Sequence, residues 1–135
     1  MIDVERIRGI ALFEGLSDEE LSQCAGLFSE TEMLAGTTLS REGEFSYHFY
    51  VVLDGDVEVQ RNFEHVARLG PGDFFGETGL VGGERRNARV SARSRCHLAT
   101  MMTWDFATMN REFPVVAERI AAVVAERLAA APDDD

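Results

Sequence analysis

The sequence predicts a mainly β domain of the α+β class, in which an antiparallel β-roll is flanked by helices at both ends. Apolar residues repeat at helical spacing before residue 30 and after residue 103, and between these points they alternate with polar residues at the period of a strand. Turns containing glycine separate the alternating stretches at regular intervals. Short, regularly spaced strands of this kind are typical of a jelly roll, a double-stranded β-helix, rather than of a parallel sheet.

Residues 1–29 are predicted to form a helical lead-in. Apolar residues at positions 4, 7 and 10 or 11 indicate a short first helix with one buried face. Ser17, followed three residues later by Glu20, is a capping-box signature and predicts a second helix over 18–28. The buried face of that helix is expected to contain Leu21, Cys24, Ala25 and either Leu27 or Phe28.

Residues 30–102 contain the predicted strands of the roll. Period-two alternation places them at 31–34, 37–40, 47–53, 57–60, 66–69, 88–92 and 97–102. A glycine-rich segment, residues 75–90, follows the strand at 66–69 and runs into the strand at 88–92. We call this segment the cassette.

Residues 103–130 are predicted to be helical, and residues 131–135 to be an acidic, solvated tail. Trp104 opens a helix against the β-layer, where an aromatic side chain usually anchors packing. Pro114 suits the first turn of a further helix. That helix is amphipathic, with apolar residues at 116, 120, 123, 124 and 128 and polar residues Glu118, Arg119, Glu126 and Arg127 on the other side.

Composition and charge limit the classes of function that we expect for the chain. The 135 residues are 45% hydrophobic, which suits one globular domain over 1–135. A net charge of -11 opposes nucleic acid, so we expect no nucleic-acid binding by this chain alone. No apolar run approaches the ~20 residues that span a bilayer and no secretion signal is evident, so we expect no membrane contact and a cytoplasmic location. Cys24 and Cys96 are expected to be reduced thiols.

The cassette reverses the sign of the local charge. Five of the thirteen arginines lie between residues 85 and 95, and no acidic residue occurs from Arg85 through Trp104. A short helical turn after Gly76 would direct unpaired N–H groups at an anion, and Arg86 offers a planar donor that matches two phosphate oxygens. Glu77 could accept a hydrogen bond from a sugar hydroxyl. These residues predict a site for a phosphate joined to a ribose, whereas Arg85, Arg93 and Arg95 are expected to be solvated and to balance neighbouring acids.

Phe75-Gly76-Glu77-Thr78-Gly79-Leu80, followed by Arg86-Asn87-Ala88-Arg89-Val90, resembles the phosphate-binding cassette of the cyclic nucleotide-binding domain family. That resemblance implies a regulatory domain that binds cyclic AMP or, less favoured, cyclic GMP. It assigns the ribose 2′-hydroxyl to Glu77 and the cyclic phosphate to Arg86. The implied binding residues are Gly76, Glu77, Thr78, Gly79, Arg86, Asn87, Ala88 and Arg89, with Arg127 of the last helix near the ligand.

The same resemblance bears on the output of the domain. Arg89 stands where many relatives carry Thr or Ser, which leaves the base preference open. In relatives the last helix closes over the base, and in bacterial activators it continues into a dimer seam and a DNA-reading domain. We therefore expect ligand binding to move the C-terminal helices and to act through an effector protein or a fused output domain. A homodimer through the last helix stays open.

Two alternatives compete with this interpretation. Arg86 and Glu77 could pair with each other in an empty loop, which would make the domain a ligand-free interaction module. The segment from Gly43 to Gly55, followed by Asp73, superficially resembles cupin metalloenzymes, but it offers only His48 as an imidazole ligand. We identify no catalytic residue, no metal ligand set and no cofactor, and we expect no enzymatic activity.

Overall fold

The N-terminal lead-in contains three short helical segments. The computed structural model describes residues 2–40, 48–76 and 89–130. The lead-in consists of α1 (Val4–Ile7), a 3₁₀ helix (Ala11–Phe13) and α2 (Asp18–Ala25). The predicted capping box is present: the Ser17 hydroxyl accepts a hydrogen bond from the Glu20 amide, and the Ser17 amide donates to Glu20 Oε1, both at 3.1 Å.

Helix α2 ends at Ala25 rather than at Phe28, so the predicted boundary is wrong. The amides of Leu27 and Phe28 donate to carbonyls three residues back, at 3.0 and 3.1 Å, which tightens the turn and ends the helix. Strand β1 then begins at Ser29. The predicted burial is confirmed, because Leu21, Cys24, Ala25 and Phe28 are all buried.

The described residues form eight strands in two antiparallel sheets. They are β1 (Ser29–Met33), β2 (Thr38–Ser40), β3 (His48–Asp54), β4 (Val57–Arg61), β5 (Glu64–Leu69), β6 (Phe74–Phe75), β7 (Arg89–Ala92) and β8 (Cys96–Met102). Sheet one has the order β1-β8-β3-β6, and sheet two has the order β2-β7-β4-β5. The predicted antiparallel roll is confirmed.

Strand β3 is buried on both faces. Phe49, Val51 and Leu53 pack against the helices in one apolar cluster. Tyr50 and Val52 pack towards sheet two in a second cluster, which we call the interior cluster. Because successive side chains of a strand point to opposite faces, sheet one is the middle layer between the helices and sheet two.

The C-terminal segment is a 3₁₀ helix (Thr103–Asp105), α3 (Phe106–Glu112) and α4 (Pro114–Ala130), and Pro114 opens α4 as predicted. Met109, Phe113, Val116 and Ile120 join the same cluster as the lead-in. Trp104 is 63% exposed, so the expectation that it anchors packing is wrong. It lies in the 3₁₀ helix Thr103–Asp105, none of whose residues is buried.

Gly55 lies in the turn between β3 and β4, where this turn contacts the turn between β7 and β8. Its φ is +87°, and a Cβ atom there would lie 2.4 Å from the carbonyl oxygen of Arg95 and 2.9 Å from Cys96 Sγ. The two turns are joined by hydrogen bonds between Asp56 and Ser94: the Asp56 amide donates to Ser94 Oγ at 3.1 Å, and that hydroxyl donates to Asp56 Oδ1 at 2.8 Å. Only glycine fits this close approach.

The β4–β5 hairpin carries strain at its tip. Its two turn residues, Asn62 and Phe63, have φ of 54° and 65°. Two-residue turns of this handedness favour Asn-Gly, so a bulky residue occupies the glycine position. Phe63 is 87% exposed, and no burial of its ring offsets the strain.

Strand β5, at the edge of sheet two, contains a bulge. Val59 pairs with Ala67 but Gln60 pairs with His65, which leaves Val66 as an extra residue. Strand β2, at the other edge, also changes register, between Thr38 and Ser40. Both edges of sheet two are therefore irregular.

We predict that Gly55→Ala lowers the free energy of unfolding by about 3 kcal/mol, because the added methyl group meets backbone and the residue keeps a left-handed φ. Urea denaturation followed by circular dichroism measures the loss. Gly36→Ala is the matched control: Gly36 has φ +90° but no atom within 4 Å of its Cβ position. The control should lose only about 1 kcal/mol; equal losses would show that the close contact at Gly55 is unimportant.

We predict that Phe63→Gly raises the free energy of unfolding by about 1 kcal/mol, since glycine adopts a positive φ without strain. Thermal denaturation reads this out as a higher Tm. The matched control is Glu64→Gly, one residue on, which lies outside the left-handed region. That change should lower stability, and a lower Tm for Phe63→Gly would contradict the strain.

Candidate functional site

The two ends of the cassette lie in different sheets. Gly76, with φ 91°, follows β6 in sheet one, where Phe75 pairs with Tyr50. The chain enters sheet two at Arg89, the first residue of β7. The predicted site residues Glu77, Thr78, Gly79, Arg86, Asn87 and Ala88 lie outside the described residues. The cassette thus connects the two layers of the roll, and Gly76 near its start has the positive φ that favours glycine.

Gly76 adjoins the interior cluster. The rings of Tyr50 and Phe75 stack with centroids 4.8 Å apart and an interplanar angle of 21°. Val90, the second residue of β7, belongs to the same cluster. Buried apolar side chains therefore fix the strand ends from which the cassette leaves and to which it returns.

Arg89 lies on the outer face of sheet two. Val90 and Ala92 point into the interior cluster, so the alternation of β7 directs Arg89 away from it. Its Nη2 donates to Thr38 Oγ1 at 3.0 Å, and its Nε is buried without an acceptor among the described residues. The Arg89 side chain thus links β7 to β2, and its contact with a ligand stays a prediction.

The other described arginines of the cluster pair with acids, as the sequence predicts. Arg93 Nη1 lies 3.1 Å from Glu58 Oε1, and Arg95 Nη2 lies 2.6 Å from Glu32 Oε1. A hydrogen bond with His65, 2.8 Å between Nδ1 and Oε2, lowers the pKa of Glu58, and the charge of Arg93 lowers it further. Arg85 lies outside the described residues.

Sequence reasoning gave no role to Arg61. Strand β4 places it on the same side as Val57 and Val59, which pack in or against the interior cluster, and its Nη1 is buried. An arginine at an inward position of an alternating strand is the signal that could have identified it. The guanidinium of Arg61 therefore lies on the interior side of the roll. The side chain of Arg127, in α4, lies outside what the structure describes.

Metal and thiol chemistry find little support in the described part of the chain. His48, His65 and His97 lie on three different strands. Among residues 2–40, 48–76 and 89–130, no group of three His, Cys, Asp or Glu side chains could hold a metal ion. Burial raises the pKa of the Cys24 thiol to about 12, which keeps it protonated. In the same ranges, no helix is long and apolar enough to cross a bilayer.

Comparison with known proteins identifies the fold and the family together. A sequence model of the cyclic nucleotide-binding domain matches residues 30–111, more than half of the chain. The chain belongs to the cyclic nucleotide-binding domain family. The matched range starts in β1, includes the cassette and ends in α3.

Relatives carry this domain within longer chains. The protein is 30% identical over 127 residues to the cyclic AMP receptor protein of Thermus thermophilus, covering 90% of this chain and 59% of the relative. It is 29% identical over 128 residues to a cyclic nucleotide-gated potassium channel of Rhizobium etli, covering 95% of this chain and 36% of the channel. The crystal structure of the Thermus thermophilus catabolite activator protein matches with a TM-score of 0.80 at 30% identity, over 87% of this chain and 58% of that one. The chain spans less than two thirds of each.

Proposed function

We propose that this domain is a sensor that binds a 3′,5′-cyclic nucleotide, with cyclic AMP preferred over cyclic GMP. The observation that carries the proposal is the cassette sequence itself, with Gly76-Glu77 and Arg86-Asn87-Ala88 in the order and spacing typical of the family. The preference for cyclic AMP follows from the similarity to a cyclic AMP receptor protein.

Each proposed contact has a chemical reason. Glu77 accepts a hydrogen bond from the ribose 2′-hydroxyl, and Arg86 pairs with the cyclic phosphate through two parallel N–H groups. The backbone of Gly76, Glu77 and Thr78 and the Asn87 side chain donate to the remaining phosphate oxygens, while the small residues Gly79 and Ala88 allow close approach. Net charge -11 repels a free anion, so a local cation is needed to hold the phosphate.

The proposed response is that the bound nucleotide orders the C-terminal segment. Phosphate binding fixes the cassette, the cassette moves the chain from Trp104 onward, and α4 settles over the base with Arg127 near the ligand. Such a shift requires the nucleotide to contact the two states unequally. We propose that the signal passes to an effector protein or a fused output domain, and that the domain itself performs no catalysis. Cytoplasmic location and a homodimer through α4 stay predictions from the sequence.

We predict that Arg86→Ala weakens cyclic AMP binding about a hundredfold, roughly 3 kcal/mol, because the buried phosphate loses its counter-charge. Titration calorimetry of the two proteins measures the gap. Arg93→Ala is the matched control, since Arg93 pairs with Glu58 on the surface and should leave the affinity unchanged. Equal affinities for wild type and Arg86→Ala would refute the assignment of the phosphate to Arg86.

A thermal-shift panel separates the proposed function from its alternatives. Cyclic AMP at a hundred times its dissociation constant should stabilise the wild-type protein by about 2.7 kcal/mol and raise its Tm. Cyclic GMP should give a smaller shift at the same concentration. No shift with either nucleotide would favour the ligand-free interaction module. A shift only with divalent metal ions would favour the cupin-like alternative.

A further inference from the structure

The β4–β5 hairpin combines two backbone irregularities with two exposed apolar side chains. Phe63, at the tip, has a φ of 65° and is 87% exposed. Val66, the extra residue of the β5 bulge, is 46% exposed. Backbone strain and bulges cluster at functional positions, because both re-aim side chains that a regular hairpin would direct elsewhere. Here neither irregularity brings its apolar side chain into a core of the domain.

The bulge adds a side chain to the outer face of sheet two. Leu69 packs against the interior cluster, so the alternation of β5 directs Arg68 and Val66 outward. His65 lies on the outer face as well, since its Nδ1 is 2.8 Å from Oε2 of the outward-facing Glu58. Two successive residues of β5, His65 and Val66, therefore share a face that a regular strand would give to only one of them.

The cations of this face project further than the acids that pair with them. Arg68 is 61% exposed, whereas its partner Asp56 is 33% exposed. Arg93, in the turn after β7, and His65 are 49% and 55% exposed, whereas Glu58, which pairs with both, is 13% exposed. A molecule that approaches this face therefore meets positive charge first, and Glu58 holds two of the cations in place.

This order of charge is not general for the chain. In the lead-in, Arg8 is 45% exposed while its partners Glu5 and Asp18 are 67% and 87% exposed. Salt screens the net charge of -11 beyond about 8 Å at physiological ionic strength, so the nearest charges decide what a surface accepts. The outer face of the hairpin is thus suited to carboxylates although the molecule as a whole is acidic.

We propose that a hairpin surface formed by Phe63, His65, Val66, Arg68 and Arg93 docks a segment of a partner protein in which an aromatic or aliphatic side chain is flanked by carboxylates. Phe63 and Val66 contact the apolar side chain, and the arginines pair with the carboxylates. Protein interfaces are enriched in aromatic residues and arginine, which carry much of the binding energy. Docking needs no cyclic nucleotide, so the proposal goes beyond the proposed function and does not rest on it.

Selection of a random peptide library displayed on phage, against the wild-type protein without nucleotide, tests the surface. The enriched peptides should place an aromatic or aliphatic residue beside Asp or Glu. The strongest peptide, made synthetically, is then titrated by fluorescence anisotropy. Phe63→Gly and Arg68→Glu should each weaken its binding about tenfold. Because Phe63→Gly is expected to stabilise the fold, a loss of binding in that variant does not come from unfolding.

Matched controls apply the same kinds of change away from the hairpin. Leu34→Ser removes another exposed apolar side chain, and Arg111→Glu reverses the charge of an exposed arginine of α3. Both variants should keep the wild-type affinity for the peptide. A version of the peptide with Lys in place of its acids should bind the wild type more weakly, because the outermost charges of the surface would repel it.

Three outcomes would overturn the proposal. They are a selection that enriches no peptide, enriched peptides that lack acids, and peptide affinities that are equal in the wild type, Phe63→Gly and Arg68→Glu. Sedimentation of the protein alone adds a fourth: self-association that Phe63→Gly abolishes would assign the surface to a second copy of this chain. Calorimetry with cyclic AMP should give equal affinities for the wild type and Phe63→Gly, so docking and nucleotide binding are judged separately.

Discussion

The burial of β3 on both faces is the constraint on which the rest of the structure depends. Phe49, Val51 and Leu53 pack in the apolar cluster that contains the helices. Tyr50 and Val52 pack in the interior cluster, so one strand contributes to two cores. Protein interiors are close-packed and yield little, so a displacement on one side of such a strand is felt on the other. The layer that contacts the helices is therefore also the layer from which the cassette leaves, at Gly76.

The distribution of charge follows from the same layering. The segment from Arg85 through Trp104 lacks acidic residues, yet two of its described arginines reach carboxylates on other strands, Arg93 to Glu58 and Arg95 to Glu32. Each exposed pair contributes little to stability. Together they place opposite charges side by side on both sheets, so the positive charges of Arg93 and Arg95 are balanced locally. Within the cassette, Arg86 is the arginine to which we assign an external partner, the cyclic phosphate.

Local signals in the sequence predicted local structure well. Ser17 and Pro114 set helix starts because capping and the first helical turn depend on a few adjacent residues. The alternation of apolar and polar residues identified the long strands. Strand β6 was not predicted, because its two residues are too few to show a period. The exposure of Trp104 and the early end of α2 depend on how turns pack in space. The partners of Arg119, backbone carbonyls of the 3₁₀ helix in the lead-in, lie more than a hundred residues away, beyond the reach of any helical pattern.

The candidate site shows a different limit. Its residue types and spacing were readable because the two halves of the cassette are short and contiguous, and the family was correctly identified from them. Arg89 entered the candidate site through the resemblance, and its contact with the ligand stays a prediction, while the alternation of 88–92 places it on the opposite face of β7 from Val90. Periodicity indicates which face of a strand a side chain occupies, whereas the resemblance indicates the chemistry of the site.

The irregular borders of sheet two have a consequence for how the molecule behaves in a crowded solution. A regular edge strand presents a row of unpaired N–H and C=O groups with which a strand of another molecule can pair. Here the extra residue at Val66 and the register change near Thr38 break that ladder on both flanks. In the part of the chain that the structure describes, both irregular border strands therefore disfavour edge-to-edge pairing with a strand of another molecule.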